Sequence, residues 1–547
     1  MMRRSKSSSS SSLESSTLQN LTTEGWLELF LTLPEKRSFS QWKENIQNRS
    51  LTHQLTSTLM ESLATNIPET VAPNLITLSG FACLGQAWYV TNKYGEIYPT
   101  ACTWFAVLNV LLYFIAQSTD LLHAQRTRQR TALGYLFKYA CDCNATVFLA
   151  IVTTYCLGGT SVVVQWYVVQ ASQLVLFTKH LSAFHRHAGL RYNVLTGPGD
   201  VLALAVVLLC VRATFGLDLF LKVYESTVHP LVSSMEGWHD HYFPNSERDL
   251  LPHQLKDKIY GDPMGLGSEA MMAAYYAMYV TAVVKSLMLS KKEHGWSCFG
   301  VSVSLLMRMI PAVFIKLGEV SGTFELTALD VICDGFFMAL LTSDVMLAKM
   351  ADREIHPWVV TMSICAVLSH PSILTLVAIY YIAVFADLCS YLNMPLLTVC
   401  KNVYCDGVYD LCHIGHKTLF RNALTFGNRL YVGVVGDADA SSYKRPPIMT
   451  HDERCSEVEA CKSVTKVIQN SPCFGLTQEF LDEHQIHVVA YGQEYLERYK
   501  DPDDDPYYGY VRKIGIARPL PRHDGLSTSD LISRIQKSKP ADERNDE

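Results

Sequence analysis

The chain has 547 residues, too many for one ordinary domain, and its composition is 49% hydrophobic with only 18% charged. A small net charge of −6 points to no polyanion-binding surface, and no stretch resembles a nucleic-acid module. None of the 16 cysteines forms a CxxC pair, and Cys102, Cys210, Cys333 and Cys365 lie inside apolar runs, as small hydrophobes in a reducing compartment do.

Residues 1–70 read as a cytosolic N-terminal region. Its start, Met1 to Ser16, is basic and then serine-rich without an apolar core, so a solvated disordered tail is predicted in place of a secretory signal.

From Val71 to Pro395 long apolar runs dominate. Ten reach spanning length: 72–92, 98–117, 139–157, 162–181, 200–220, 269–289, 297–316, 324–346, 357–370 and 373–394. The ninth is short, which leaves nine as the alternative count. Basic residues cluster in alternate connections: Arg126, Arg128 and Arg130; Lys179, Arg186 and Arg191; Lys291 and Lys292; Lys349 and Arg353. That bias places both termini in the cytosol under the positive-inside rule.

After Pro395 the pattern becomes that of a soluble protein. Strands are predicted at Asn402–Cys405, Leu430–Val435 and His487–Ala490, and helices at Ile414–Leu424 and Tyr507–Ile514. Thr450 to Glu453 has capping-box spacing, and Ser527 to Asp530 caps a last short helix. The fold class is therefore an all-α polytopic membrane domain followed by an α/β Rossmann-like domain with a parallel sheet over residues 401–535, then a charged tail at 536–547.

The sharpest motif is Asp406-Gly407-Val408-Tyr409-Asp410-Leu411-Cys412-His413-Ile414-Gly415-His416, between the first strand and first helix, where α/β sheets bind ligands. Its partner is Arg522-His523-Asp524-Gly525-Leu526-Ser527-Thr528-Ser529-Asp530-Leu531-Ile532. HxGH in the first context resembles the signature of the cytidylyltransferase superfamily, and the second stretch resembles that family's RTEGISTSDII motif. The resemblance covers residues 401–535 and is close to choline-phosphate cytidylyltransferases, with one catalytic domain.

The resemblance implies that His413, His416, Lys444 and Arg522 neutralise charge at a five-coordinate phosphorus while phosphocholine displaces pyrophosphate from CTP. CTP would lie against Asp406, Gly407, Gly415, Gly525, Ser527, Thr528 and Ser529. The histidines sit at a helix start, whose partial positive charge adds to theirs. No further ligand has metal-site spacing beside His413 and His416, so no protein metal site is expected, and Mg²⁺ would arrive with CTP. A quaternary ammonium is best held by aromatic faces and a carboxylate; the choline box would comprise Asp406, Phe474, Tyr495 and Tyr508. Phe474 stands near the family's tryptophan, Tyr491-Gly492 replaces its His-Asp, and Lys462 to Val467 departs from its RYVDEV subunit-contact segment. Phosphoethanolamine is the alternative substrate.

The stretch Val71 to Leu78 resembles the opening of the choline/ethanolamine phosphotransferases, members of the CDP-alcohol phosphatidyltransferase family, whose motif reads D-x-x-D-G-x-x-A-R followed by G-x-x-x-D-x-x-x-D. The matching positions here are Gln117, Asp120, Leu121 and Gln125, then Gly134, Lys138 and Asp142. Two of four aspartates remain, and a lysine stands at a metal-ligand position. The resemblance implies a degenerate relative without transferase activity, serving as anchor, with pairing to an active phosphotransferase or homodimerisation as partner expectations. The leading expectation is a membrane-anchored CTP:phosphocholine cytidylyltransferase in the endoplasmic reticulum, its catalytic domain cytosolic. A bifunctional enzyme and a silent scaffold are the alternatives. Only about fifteen residues follow Ile532, Lys537, Lys539, Asp542, Glu543 and Asp546 among them, a stretch expected to be too short and too charged for a lipid-sensing interfacial helix.

Overall fold

The computed structural model describes residues 30–43, 47–185, 191–192, 194, 197–219, 222, 226, 277–284, 326–353, 370–443, 445–472, 474–521 and 527–538. The predicted span 297–316, all of 357–370 but its last residue, and most of 269–289 lie outside the described residues. Two compact units emerge. The first comprises Met1–His123 with Thr131–Leu392; the second joins Ala124–Arg130 to Asn393–Glu547.

The described helices of the first unit are α1 Leu33–Gln41, α2 Leu51–Asn66, α3 Pro73–Tyr94, α4 Pro99–Arg126, α5 Ala132–Cys156, α6 Val162–His185, α7 Pro198–Phe215, α8 Ala328–Ala351 and α9 His370–Leu392. α8 is the hub, packed by α5, α6 and α9. α7 is different: it is apolar from Val201 to Val211, yet Val201, Leu204 and Val207 face outward. Five of the described helices are long and apolar enough to cross a membrane: α4, α5, α7, α8 and Ser372–Leu392 within α9. The ten predicted spans are thus matched in five places. α3 and α6 are long enough, but Asn74, Gln86 and Asn92 in one, and Gln165, Gln170, Gln173 and Lys179 in the other, dilute their apolar character. Arg353, counted above among loop charges, is instead buried, with Nη2 2.7 Å from Asp344 Oδ1.

In the second unit, five strands form one sheet: β1 Asn402–Gly407, β2 Arg429–Val435, β3 Lys466–Ser471, β4 Val488–Gly492 and β5 Ala517–Leu520. Their order is β3-β2-β1-β4-β5 and every pairing is parallel. Helices α10 Ile414–Leu424, α11 Asp437–Tyr443, α12 His451–Glu459, α13 Gln478–Glu483, α14 Gln493–Arg498, α15 Gly509–Lys513 and α16 Thr528–Ser538 connect or follow the strands. Both sheet faces are covered, so the central strands run apolar over Val403–Cys405 and Leu430–Val435, as parallel strands require. Val403, Cys405, Val432 and Val434 pack on one side with Phe420, Ala423 and Val458; Tyr404, Tyr431 and Val489 pack on the other with Leu481, Tyr508 and Val511. Gly433 is a close approach, since a Cβ there would collide with the Tyr404 hydroxyl.

The predicted helix Ile414–Leu424 and the Thr450–Glu453 capping box are present as expected, Thr450 N donating to Glu453 Oε2 at 2.9 Å. The helix expected from Tyr507 starts only at Gly509. Asp505 Oδ1 accepts the amides of Tyr507 and Tyr508, each at 3.0 Å, and this Asx-type turn delays the helix. Strands β3 and β5 and helices α11, α13 and α14 were not anticipated from the sequence.

Candidate active site

β1 is flanked by β2 and β4, the place where the strand order reverses, and the crevice at the carboxyl ends of β1 and β4 is where such sheets bind ligands. The HxGH loop leaves β1 there. The loop is conformationally strained: Tyr409 and Leu411 take positive φ of 53° and 49°, which side-chain-bearing residues adopt rarely. At its centre Asp410 is buried, and its carboxylate accepts the amides of Ile448 and Met449 and the Arg445 guanidinium, all at 3.1 Å. It thereby ties the segment after Lys444 to the histidine motif.

His413 is the N-cap of α10. Its Nδ1 accepts the Gly415 amide at 3.1 Å, so the neutral ring carries its proton on Nε2, 3.4 Å from Thr528 Oγ1. The His416 ring stacks on His413 with centroids 4.0 Å apart, and the Tyr409 edge meets His416 at 5.3 Å. Two imidazoles and the positive end of a helix therefore share one corner.

Of the three predicted hydroxyls at the start of α16, Thr528 reaches this corner and also donates to the Asp410 carbonyl at 3.4 Å. Ser527 Oγ donates to Asp530 Oδ2 at 2.7 Å, as a helix cap, and Ser529 is exposed. Gly407 and Gly415 flank the histidine loop; a Cβ at Gly407 would meet the Tyr409 ring at 2.9 Å. Lys444, Arg522 and Gly525 lie outside the described residues.

The predicted ammonium box comes together as an aromatic cluster. Tyr508 OH donates to Asp406 Oδ1 at 2.9 Å, Tyr495 meets Tyr508 edge-on at 5.1 Å, and Phe474 lies 5.2 Å from Tyr507. Burial, and then the nearby Asp406 carboxylate, hold the Tyr508 phenol well above its usual range, so it remains a donor. Two members were missed: Tyr507, 5.2 Å from Tyr495, and Tyr491, stacked on Tyr508 at 4.7 Å. Adjacency to Tyr508 and a position at the end of the third predicted strand were the available signals.

Arg454, also missed, is fully buried. It donates to the carbonyls of Val408 (2.5 Å) and Val435 (2.8 Å) and to Asp437 Oδ1 (2.6 Å), bridging the exits of β1 and β2. Its helical position among charged neighbours gave no hint of burial.

In the first unit the side chains of Asp120, Lys138 and Asp142 come together. Lys138 Nζ lies 2.8 and 2.7 Å from the two Asp120 oxygens, 2.9 Å from the Gln117 carbonyl and 4.0 Å from Asp142. Thr77 donates to Asp120 at 2.8 Å and Tyr113 to Asp142 at 2.7 Å, while the Gly134 amide caps onto Thr131. Among the described residues no group of three or more His, Cys, Asp or Glu side chains is arranged to hold a metal ion.

Residues 404–534 match the family model described as Cytidylyltransferase-like. Over this region the chain is 38% identical across 135 residues to choline-phosphate cytidylyltransferase A of Rattus norvegicus, covering 24% of this chain and 36% of the relative. It is 40% identical across 135 residues to a probable choline-phosphate cytidylyltransferase of Schizosaccharomyces pombe, with the same two coverages. Ethanolamine-phosphate cytidylyltransferase of Arabidopsis thaliana is 34% identical across 137 residues, 24% of this chain and 32% of the relative. The chain thus spans about a third of the length of these curated relatives. The second unit carries a cytidylyltransferase-like domain of the nucleotidyltransferase class. Its homologues include both choline-phosphate and ethanolamine-phosphate cytidylyltransferases.

Proposed function

We propose that residues 401–535 join CTP to phosphocholine, releasing CDP-choline and pyrophosphate, and that the helical first unit holds the domain on the cytosolic side of the endoplasmic reticulum membrane. The observation that carries the reading is the stacked His413–His416 pair at the start of α10, at the switch point of the sheet. A phosphocholine oxygen attacks the α-phosphorus; the new P–O bond forms as the bond to pyrophosphate breaks, with no covalent intermediate on the protein. Charge grows on the equatorial and leaving oxygens, and His413 Nε2–H, His416 and the α10 amides supply donors for it. Lys444 and Arg522 add cations, Thr528 supports His413, and MgCTP is the substrate form. The Asp406 carboxylate and the ring faces of Tyr508, Tyr495, Tyr507 and Phe474 suit a quaternary ammonium, which offers no hydrogen bond of its own.

Membrane attachment is supported by the five long apolar helices and by the outward apolar face of α7. The first unit is read as a CDP-alcohol phosphotransferase relative without transfer activity. The residues present do not fit two divalent cations, because the Lys138 ammonium neutralises Asp120 where a metal would have to bind.

The test is to incubate full-length protein in membranes with CTP and either phosphocholine or phosphoethanolamine and follow pyrophosphate. Release with phosphocholine well above that with phosphoethanolamine is expected, with no onward transfer to diacylglycerol. Equal efficiency with the two would overturn the substrate assignment.

A further inference from the structure

The residue before the first histidine is Cys412, and its Sγ lies 3.9 Å from Cys461 Sγ. Both thiols are half-buried at the edge of the same apolar cluster, and both are reduced. Cys461 follows the end of α12 and donates its thiol proton to the Glu457 carbonyl at 3.3 Å. With that single proton committed, Cys412 is the donor between the two sulfurs, its S–H directed at Cys461 Sγ. Each cysteine sits outside regular structure, one after the strained Leu411 and one in the turn leading to β3. A disulfide needs the sulfurs at about 2.05 Å, so they must close by about 2 Å, within the reach of side-chain rotation plus a small loop shift.

We propose that Cys412 and Cys461 form a peroxide-oxidisable thiol pair whose disulfide displaces the HxGH loop. The balance is two thiols and one hydrogen peroxide giving one disulfide and two waters. First a Cys461 sulfur attacks the peroxide oxygen, the O–O bond breaks, and one water leaves with a sulfenic acid formed on Cys461. Then the Cys412 sulfur attacks Cys461 Sγ, the S–O bond breaks, and the hydroxyl departs as water with the Cys412 proton. The order follows from environment. Cys461 Sγ receives the Cys412 S–H, which favours its thiolate, whereas burial, and then the neighbouring Cys461, push the Cys412 thiol up to about 12, so Cys412 is scarcely ionised and is not the sulfur that meets peroxide first.

The consequence reaches the site through one peptide bond. His413 caps α10 through Gly415 N and meets Thr528, so drawing Cys412 toward Cys461 moves both contacts. A misplacement of about 1 Å costs on the order of 10²-fold in rate. The activity effect rests on the cytidylyl transfer proposed above; the bridge itself does not.

The experiment treats the full chain, in detergent micelles, with hydrogen peroxide and then dithiothreitol, reading disulfide-linked peptides by fragmentation mass spectrometry and pyrophosphate release in parallel. The expected result is a Cys412–Cys461 bridge, a rate at least tenfold lower, and recovery of both on reduction. Cys461→Ala and, separately, Cys412→Ala should show no bridge and keep most of their rate under peroxide. Absence of the bridge at peroxide levels that oxidise exposed methionines overturns the proposal, as does a bridge with unchanged rate, or equal rate loss in Cys461→Ala. A bridge in a chain with no transfer even when reduced supports the thiol pair and overturns the reaction instead.

Discussion

Tyr508 and Asp406, 102 residues apart, are joined by a 2.9 Å hydrogen bond that fixes the tyrosine ring against the strand-end carboxylate. The bond orients the carboxylate, and it sets the ring at the angle from which Tyr491 and Tyr495 are stacked and edged. An acid beside several π-faces is an arrangement for a bulky cation.

Replacing that phenol should therefore separate the two substrates. Tyr508→Phe keeps the ring and loses the bond, and a hydrogen bond to a charged group contributes about 1.5–3 kcal/mol. The KM for phosphocholine is expected to rise about tenfold or more, with the KM for CTP within twofold. Steady-state kinetics with each substrate varied checks this, and an equal rise in both would place the aromatic cluster outside the ammonium site.

The stacked histidines predict a loss in turnover. Removing one preorganised donor to a developing oxyanion costs about 10²–10³ in rate. His413→Ala and His416→Ala should each lower kcat by that amount with far-UV circular dichroism unchanged. Because His413 also caps α10, His413→Asn, which restores the cap but not the imidazole, should stay inactive. Near-normal turnover in His413→Asn would reduce the ring to a structural cap.

A pH dependence of stability follows from His487. Its Nδ1 accepts the Asn402 amide at 3.1 Å and its Nε2 donates to the Thr127 carbonyl at 2.7 Å, a pairing that only the neutral ring makes. Burial, the largest cause, pushes its folded-state pKa below the ordinary value of about 6.5. A lowered folded pKa means this stabilisation is complete above about pH 6.5 and is lost as pH falls from there towards the folded value. The melting temperature of the full chain should decline between pH 7 and pH 5, and His487→Gln, which keeps an acceptor and a donor, should flatten that decline. An identical slope in the variant would assign the effect to another group.

The sequence by itself determined whatever depends on a few neighbouring residues. The HxGH loop, the helix Ile414–Leu424, the Thr450–Glu453 cap and the apolar strand Leu430–Val435 are local events, set by capping spacing, glycine and β-branched runs within one or two turns of chain. β3 and β5 escaped because their own residues argue against a strand: Lys466, Gln469 and Asn470 in one, Arg518 and Pro519 in the other. They are edge strands, where polar residues and proline are tolerated, and only pairing with β2 and β4 makes them strands. The tertiary structure alone decided the contacts between distant residues: Tyr507 and Tyr491 in the aromatic cluster, Arg454 beneath two strand exits, Cys461 beside Cys412, and Lys138 folded onto Asp120. Those depend on strand register and helix packing, which place a side chain to a fraction of an ångström through the summed burial of the whole unit. No short stretch of sequence carries that sum.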